Sequence, residues 1–109
     1  MSINSKQKGK RGELECCNEL KKYGYKCRRT AQYNGKELDS KADIIGIPGI
    51  HCEVKRNERL NINEAMKQAV RDSKANELPT VFHRKNGEKW LVTVRLEDWV
   101  KLHKGELTK

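Results

Sequence analysis

The sequence predicts an α/β domain: a mixed central sheet of about five strands flanked by helices, in the order αβββαββα. Three observations carry this. Two strand-like apolar runs, 42–47 and 50–55, flank the turn dipeptide Pro48-Gly49. Residues 61–76 carry apolar residues at helical spacing. Runs 79–84 and 89–95 flank Asn86-Gly87, a strong hairpin signal. A chain of 109 residues suits one domain. It is 35% hydrophobic and 36% charged, but the apolar residues fall in short periodic blocks, which argues against general disorder.

Taken in order, residues 1–11 are polar and basic (Lys6, Lys8, Lys10, Arg11) and read as a mobile arm. Residues 12–104 form the folded domain and 105–109 a tail. Leu14, Cys17, Leu20 and Tyr23, with Cys16, give the first helix an apolar stripe, and Gly24 stops it. Tyr25–Thr30 reads as a strand ending in Arg28 and Arg29. Residues 31–41 hold Asn34-Gly35 and four charges, an exposed loop. After the first hairpin, Asn61 caps the second helix and Glu64 completes a capping box. Its buried face is Ile62, Ala65, Met66, Ala69 and Val70. Leu96–His103 closes the domain as a short helix with Trp99 and Val100. No internal repeat or low-complexity tract is present.

Lys plus Arg number 24 against 15 Asp plus Glu, a net charge of +9. That excess favours a polyanionic partner, nucleic acid first. An anionic membrane surface ranks second, because no 18-residue apolar run or signal-type segment exists. The expectation is a cytoplasmic protein that uses no membrane. Cys16, Cys17, Cys27 and Cys52 form no C-x-x-C pair and His51, His83 and His103 are scattered, which argues against a zinc site. The thiols read as small hydrophobes.

Three charges, Asp43, Glu53 and Lys55, interrupt the first hairpin's apolar runs. Burying an unpaired charge is expensive, so strands keep such residues for a purpose. Glu53 and Lys55 are two apart and share a strand face. Two carboxylates beside a lysine suit a hard divalent cation acting on a phosphodiester, with the Val54 carbonyl as a third ligand. Lys55 then stabilises the developing oxyanion or orients the water. Asp43 and Glu53 share a cation only as cross-strand partners. A two-residue Pro48-Gly49 turn would pair Asp43 with Val54 instead. An odd-length connection or a bulge is therefore required, and Gly46 and Gly49 tolerate either. Asp39 is the alternative carboxylate, but it lies in loop-like sequence, so Asp43 is preferred. Flanking Ile50, Cys52 and Val54 make a plain surface pair the weaker reading of Glu53 and Lys55.

The spacing Asp43, nine residues, Glu53-x-Lys55 resembles the PD-(D/E)xK nuclease superfamily. Lys8-Gly9-Lys10-Arg11-Gly12-Glu13-Leu14-Glu15 resembles the opening of archaeal-type Holliday-junction resolvases, which place a metal-site glutamate there; Glu13 takes that position. Tyr23-Gly24-Tyr25 with Arg28-Arg29-Thr30 resembles their helix-to-strand step, and Leu78-Pro79-Thr80-Val81 and Lys89-Trp90-Leu91-Val92 their last two strands. The resemblance implies a small restriction-endonuclease-like fold. It also implies a dimeric, Mg2+-dependent, structure-selective endonuclease that nicks four-way junctions, with Mn2+ able to substitute. The size fits a phage or prophage source. The loop 31–41 departs from the pattern, in a region that shapes substrate choice. A related viral replication-repair nuclease type has an aspartate, Glu-x-Lys and a downstream glutamine. Gln68 would take that place, which implies flaps, splayed arms or ends as substrates. A third reading is a basic DNA-binding module without catalysis, but such a module has no need of acids facing a phosphate.

Glu15, two positions from Glu13, faces away on a helix and reads as solvated. Lys6, Lys8, Lys10, Arg11, Arg28 and Arg29 are candidate DNA contacts, as is a helical stripe of Lys67, Arg71 and Lys74. Two symmetric nicks require a C2 homodimer. Leu60, Trp99 and Val100 are its candidate interface residues.

Overall fold

The computed structural model describes residues 5–30, 32–33, 36–37 and 41–105. Among the described residues ten elements follow one another: α1 (Ser5–Lys21), β1 (Arg28–Arg29), β2 (Gln32–Tyr33), β3 (Lys36–Glu37), β4 (Ile44–Ile45), β5 (Ile50–Lys55), α2 (Ile62–Asp72), β6 (Leu78–His83), β7 (Leu91–Val94) and α3 (Leu96–Lys104). Five strands form one sheet in the order β1-β4-β5-β6-β7, with β2 and β3 a separate two-stranded ribbon. The β5–β6 pair is parallel and the other sheet pairs are antiparallel, so the sheet is mixed. The parallel pair needs a crossover, and α2 supplies it.

Each sheet face buries a different helix. On one face α1 sets Cys16 and Cys17 against Cys27, Ile44, Cys52, Val54 and Phe82. All four cysteines are free and buried. Burial pushes the Cys16 thiol up to about 12 and Cys17 to about 11, as expected of thiols packed as hydrophobes. On the other face α2 sets Ala65 and Ala69 against Val81, with Leu60, Ile62 and Met66 packed around them. Small residues let α2 lie close to the sheet.

Several local expectations change. Helix α1 includes Ser5 onward, so residues 5–11 are helical where an arm was expected. Helix formers such as Lys, Gln and Arg surround Gly9 and carry the helix back through it. The first strand shrinks to Arg28–Arg29, with Tyr25 exposed. The expected open loop contains the β2–β3 ribbon. Helix α2 stops at Asp72 because Ser73 turns extended and caps Ala69 O through its own N–H. Val70 is exposed and lies off the buried face. The Asn61 cap forms, accepting from Glu64 N–H at 3.1 Å, while the Glu64 carboxylate lies 3.4 Å from Lys67 Nζ. The β6–β7 connection spans 84–90, longer than a tight hairpin, with Gly87 at φ 75°.

Candidate active site

Strand β5 divides its side chains by parity. Cys52 and Val54 point into the α1 core. His51 and Glu53 are buried as well, at 0% and 1% exposure, although both are ionisable. Glu53 Oε1 lies 2.8 Å from His51 Nε2. Lys55, on the same parity, is half-buried at the strand's end.

Asp43 is fixed beside this face by main-chain bonds on both sides. Its N–H donates to Cys52 O at 2.8 Å, and its carbonyl accepts from Thr30 N–H at 3.1 Å. Ile44 pairs with Cys52, where a two-residue turn would pair it with Glu53, and Asp43 and Glu53 line one cleft. This is the one-residue offset from a two-residue turn that a shared face requires. Ile50 N–H closes on Ile47 O at 3.1 Å, and Gly46 takes φ 106°. A Cβ on Gly46 would stand 2.5 Å from Lys26 O, so glycine is obligatory there. The Asp43 carboxylate then accepts from Val54 N–H at 2.8 Å, in place of a ladder carbonyl. Burial, then the charge of Glu53, pushes the Asp43 carboxyl from 3.8 up to about 7, against the lowering effect of that hydrogen bond.

A cleft of about 290 Å³ gathers Gly9, Gly12, Glu13, Asp43, Glu53, Val54, Lys55, Arg56, Asn57 and Gln68. Helix α1 brings Glu13 there because Gly12 lets it approach closely: a Cβ on Gly12 would lie 2.9 Å from Arg56 Cβ. Glu13 Oε1 accepts from Arg29 Nε at 2.9 Å, so that carboxylate is partly engaged. Glu15 faces away from the cleft but is not solvated. It is half-buried between Arg56, at 3.4 Å, and Arg84, the residues that directly follow β5 and β6.

Among the described residues, no group of three or more His, Cys, Asp or Glu could hold a metal ion. The donor set still fits Mg2+, which typically takes one or two carboxylates and keeps several waters. Asp43 and Glu53 would hold it, with the Val54 carbonyl beside them. Two like charges crowded in partial burial, with Asp43 raised as a result, are what a cation would relieve.

The basic candidates divide. Lys10, Arg11, Arg28, Lys67, Arg71 and Lys74 are exposed. Arg29 is half-buried against Glu13. The side chains of Lys6 and Lys8 lie outside the described residues. Lys74 leaves the expected stripe, since α2 has already ended. A second groove, of about 360 Å³, shares Lys55, Asn57 and Gln68 with the cleft and leads to Arg71. Beyond it, Arg71 shares a further hollow with Lys67 and Arg95. Sequence reasoning missed His51, Arg56, Asn57 and the Arg29–Glu13 pair. Strand parity alone would have found His51, which shares a face with Glu53 and Lys55. The arginine pairings depend on tertiary packing and leave no local signal.

No described helix is long and apolar enough to cross a membrane. The model of a family described as "phage putative PDDEXK endonuclease" matches residues 4–106. No curated protein matches the chain.

Proposed function

Because the chain belongs to this phage PD-(D/E)xK endonuclease family, we propose that it is a Mg2+-dependent endonuclease that hydrolyses phosphodiesters in branched DNA, as a homodimeric Holliday-junction resolvase. The observation that supports the catalytic part is the single cleft lined by Asp43, Glu53 and Lys55.

Asp43 and Glu53 supply the charge that draws a divalent cation to the cleft, and Mn2+ is expected to serve as well. When bound, the cation acidifies water and neutralises charge on the scissile phosphate. Lys55, half-buried beside the carboxylates, sets a positive charge near the developing oxyanion. Val54 N–H keeps the Asp43 carboxylate in its orientation. Arg71, with Lys67 on α2 and Arg95 at the start of α3 in the neighbouring hollow, offers a basic path for backbone phosphates away from the cleft. An exposed apolar surface on α3 and the sheet edge supports assembly: Leu91, Val92, Leu96 and Trp99 are all exposed. Leu60 instead packs under α2, and so is a weaker interface candidate.

One observation favours a second substrate class. Gln68 lines the cleft with Asp43, Glu53 and Lys55, in keeping with the viral replication-repair arrangement and with flaps, splayed arms or ends. The test is to incubate the protein with labelled four-way junction, flap, splayed arm and linear duplex, with and without Mg2+. Symmetric nicks in the junction support the resolvase. Cleavage confined to flaps or ends selects the second class, and binding without any cleavage refutes catalysis.

A further inference from the structure

We propose that His51 is the positioning residue of this site: its Nε2 fixes the Glu53 carboxylate in the orientation that binds the cation. This role presupposes that Glu53 is a cation ligand.

His51 and Glu53 stand two residues apart on β5, so their side chains rise side by side from one face of the sheet. Both are buried and joined at 2.8 Å. An apolar residue at 51 would make a cheaper core, since burying a polar ring costs free energy unless it is hydrogen-bonded. The bond is incomplete as a purely structural device, because Nδ1 is buried without a hydrogen-bond partner. Its nearest acid is Glu77, whose Oε1 is 3.8 Å away and already accepts from Lys74 N–H at 2.9 Å. The ring is thus spent on one contact, and that contact is Glu53. A carboxylate at the end of two rotatable bonds beyond Cβ would otherwise sample several rotamers. With Oε1 held from behind by His51, the carboxylate still lines the cleft. Outer partners of ligating side chains characteristically set affinity by orienting the ligand, and losing one costs about 10–100-fold.

The test uses the DNA-free protein and Mn2+ titration by calorimetry, with folding checked by near-ultraviolet circular dichroism. Gln places an amide nitrogen where Nε2 lies, whereas Asn places one near Nδ1. His51→Gln should therefore keep Mn2+ affinity within about threefold, while His51→Asn and His51→Leu lose roughly 10-fold or more. Equal affinity in all three overturns the role, and so does an equal loss in all three. The wild-type protein gives a reading that needs no variant. The His51 Nε2–H signal in 15N–1H spectra should exchange slowly and shift on adding Mg2+; fast exchange, or no shift at saturation, overturns the role. Glu53→Gln separates the two levels of inference. If Glu53→Gln leaves Mn2+ binding intact, the site reading itself fails. If it abolishes binding while all three His51 variants keep wild-type affinity, only the positioning role fails.

Discussion

The two faces of β5 are equally buried and opposite in chemistry. Toward α1 stand Cys52 and Val54; toward the cleft and α2 stand His51 and Glu53. The first face is explained by packing alone, since small apolar groups fill the space under α1 and their thiols are pushed up out of reactivity. The second is not, because apolar residues of similar size would be the more stable choice there. Depth of burial therefore does not distinguish core from site in this strand. What distinguishes them is whether the buried group lowers free energy by being there.

The largest expected effect follows directly. Asp43→Asn or Glu53→Gln should reduce Mg2+-dependent cleavage by roughly 10³-fold or more, with DNA binding unchanged or tighter, because a negative charge beside the phosphate is gone. On the other face, Cys52→Ala should cost roughly 1–3 kcal/mol of stability and leave cleavage per folded molecule intact. Single-turnover assays beside thermal melts measure both. Near wild-type cleavage by Asp43→Asn would erase the contrast. Lys55→Ala should follow, with about a 10²–10³-fold loss of rate.

The next effect is positional. In an exposed helix, Gly→Ala commonly gains up to about 1 kcal/mol. At Gly12 the new Cβ would meet Arg56 Cβ at 2.9 Å, and neither atom is the loose end of a side chain. Helix α1 must shift from β5, carrying Glu13 with it. Gly12→Ala should therefore lose about 10²-fold in rate while its melting point moves little. A large drop in melting point with normal rate per folded molecule would make Gly12 a packing residue only.

These contrasts also explain what the sequence disclosed. The α/β class, the second helix and the convergence of Asp43, Glu53 and Lys55 on one cleft were legible because each rests on periodicity or strand parity, which are local. The need for an offset turn was legible too, and the Ile44–Cys52 register meets it. What was hidden depends on distant partners. Glu15 read as solvated because Arg56 and Arg84 are remote in sequence. The end of α2 was overrun because no Gly or Pro at 73–76 marks a stop, and Ser73 ends the helix through backbone geometry alone. The ribbon of β2 and β3 was missed because two-residue strands carry no period.

A smaller effect concerns proton linkage. Asp43 holds its proton to about 7 when folded, against 3.8 otherwise. Between those values the folded state binds more protons than the unfolded one, so this group's contribution to stability falls as pH rises. In metal-free protein, wild type should lose melting temperature relative to Asp43→Asn from pH 4 to 7. Saturating Mg2+ should narrow that difference by stabilising the ionised form. A gap that stays constant with pH would mean Asp43 is not perturbed.

The smallest effect tests where the acidic cleft gives way to the basic path. Arg71 borders the groove that shares Gln68 and Lys55 with the cleft, and Lys67 lies with Arg71 in the next hollow. Lys74 is also exposed and basic but lies beyond the end of α2. Neutralising a lysine or arginine that contacts a backbone phosphate flattens the log–log dependence of affinity on salt by about one unit. The pair Lys67→Ala and Arg71→Ala should therefore flatten the slope by about two, and Lys74→Ala by less than one. Lys67 has a competing partner in Glu64, 3.4 Å away. That pair is exposed and worth little, so phosphate should displace it. If the double variant keeps the wild-type slope while Lys74→Ala changes it, the DNA leaves the cleft past the end of α2 and not along it. If neither changes the slope, the path runs over α1, where Lys10 and Arg11 are exposed beside Gly9 and Gly12 of the cleft.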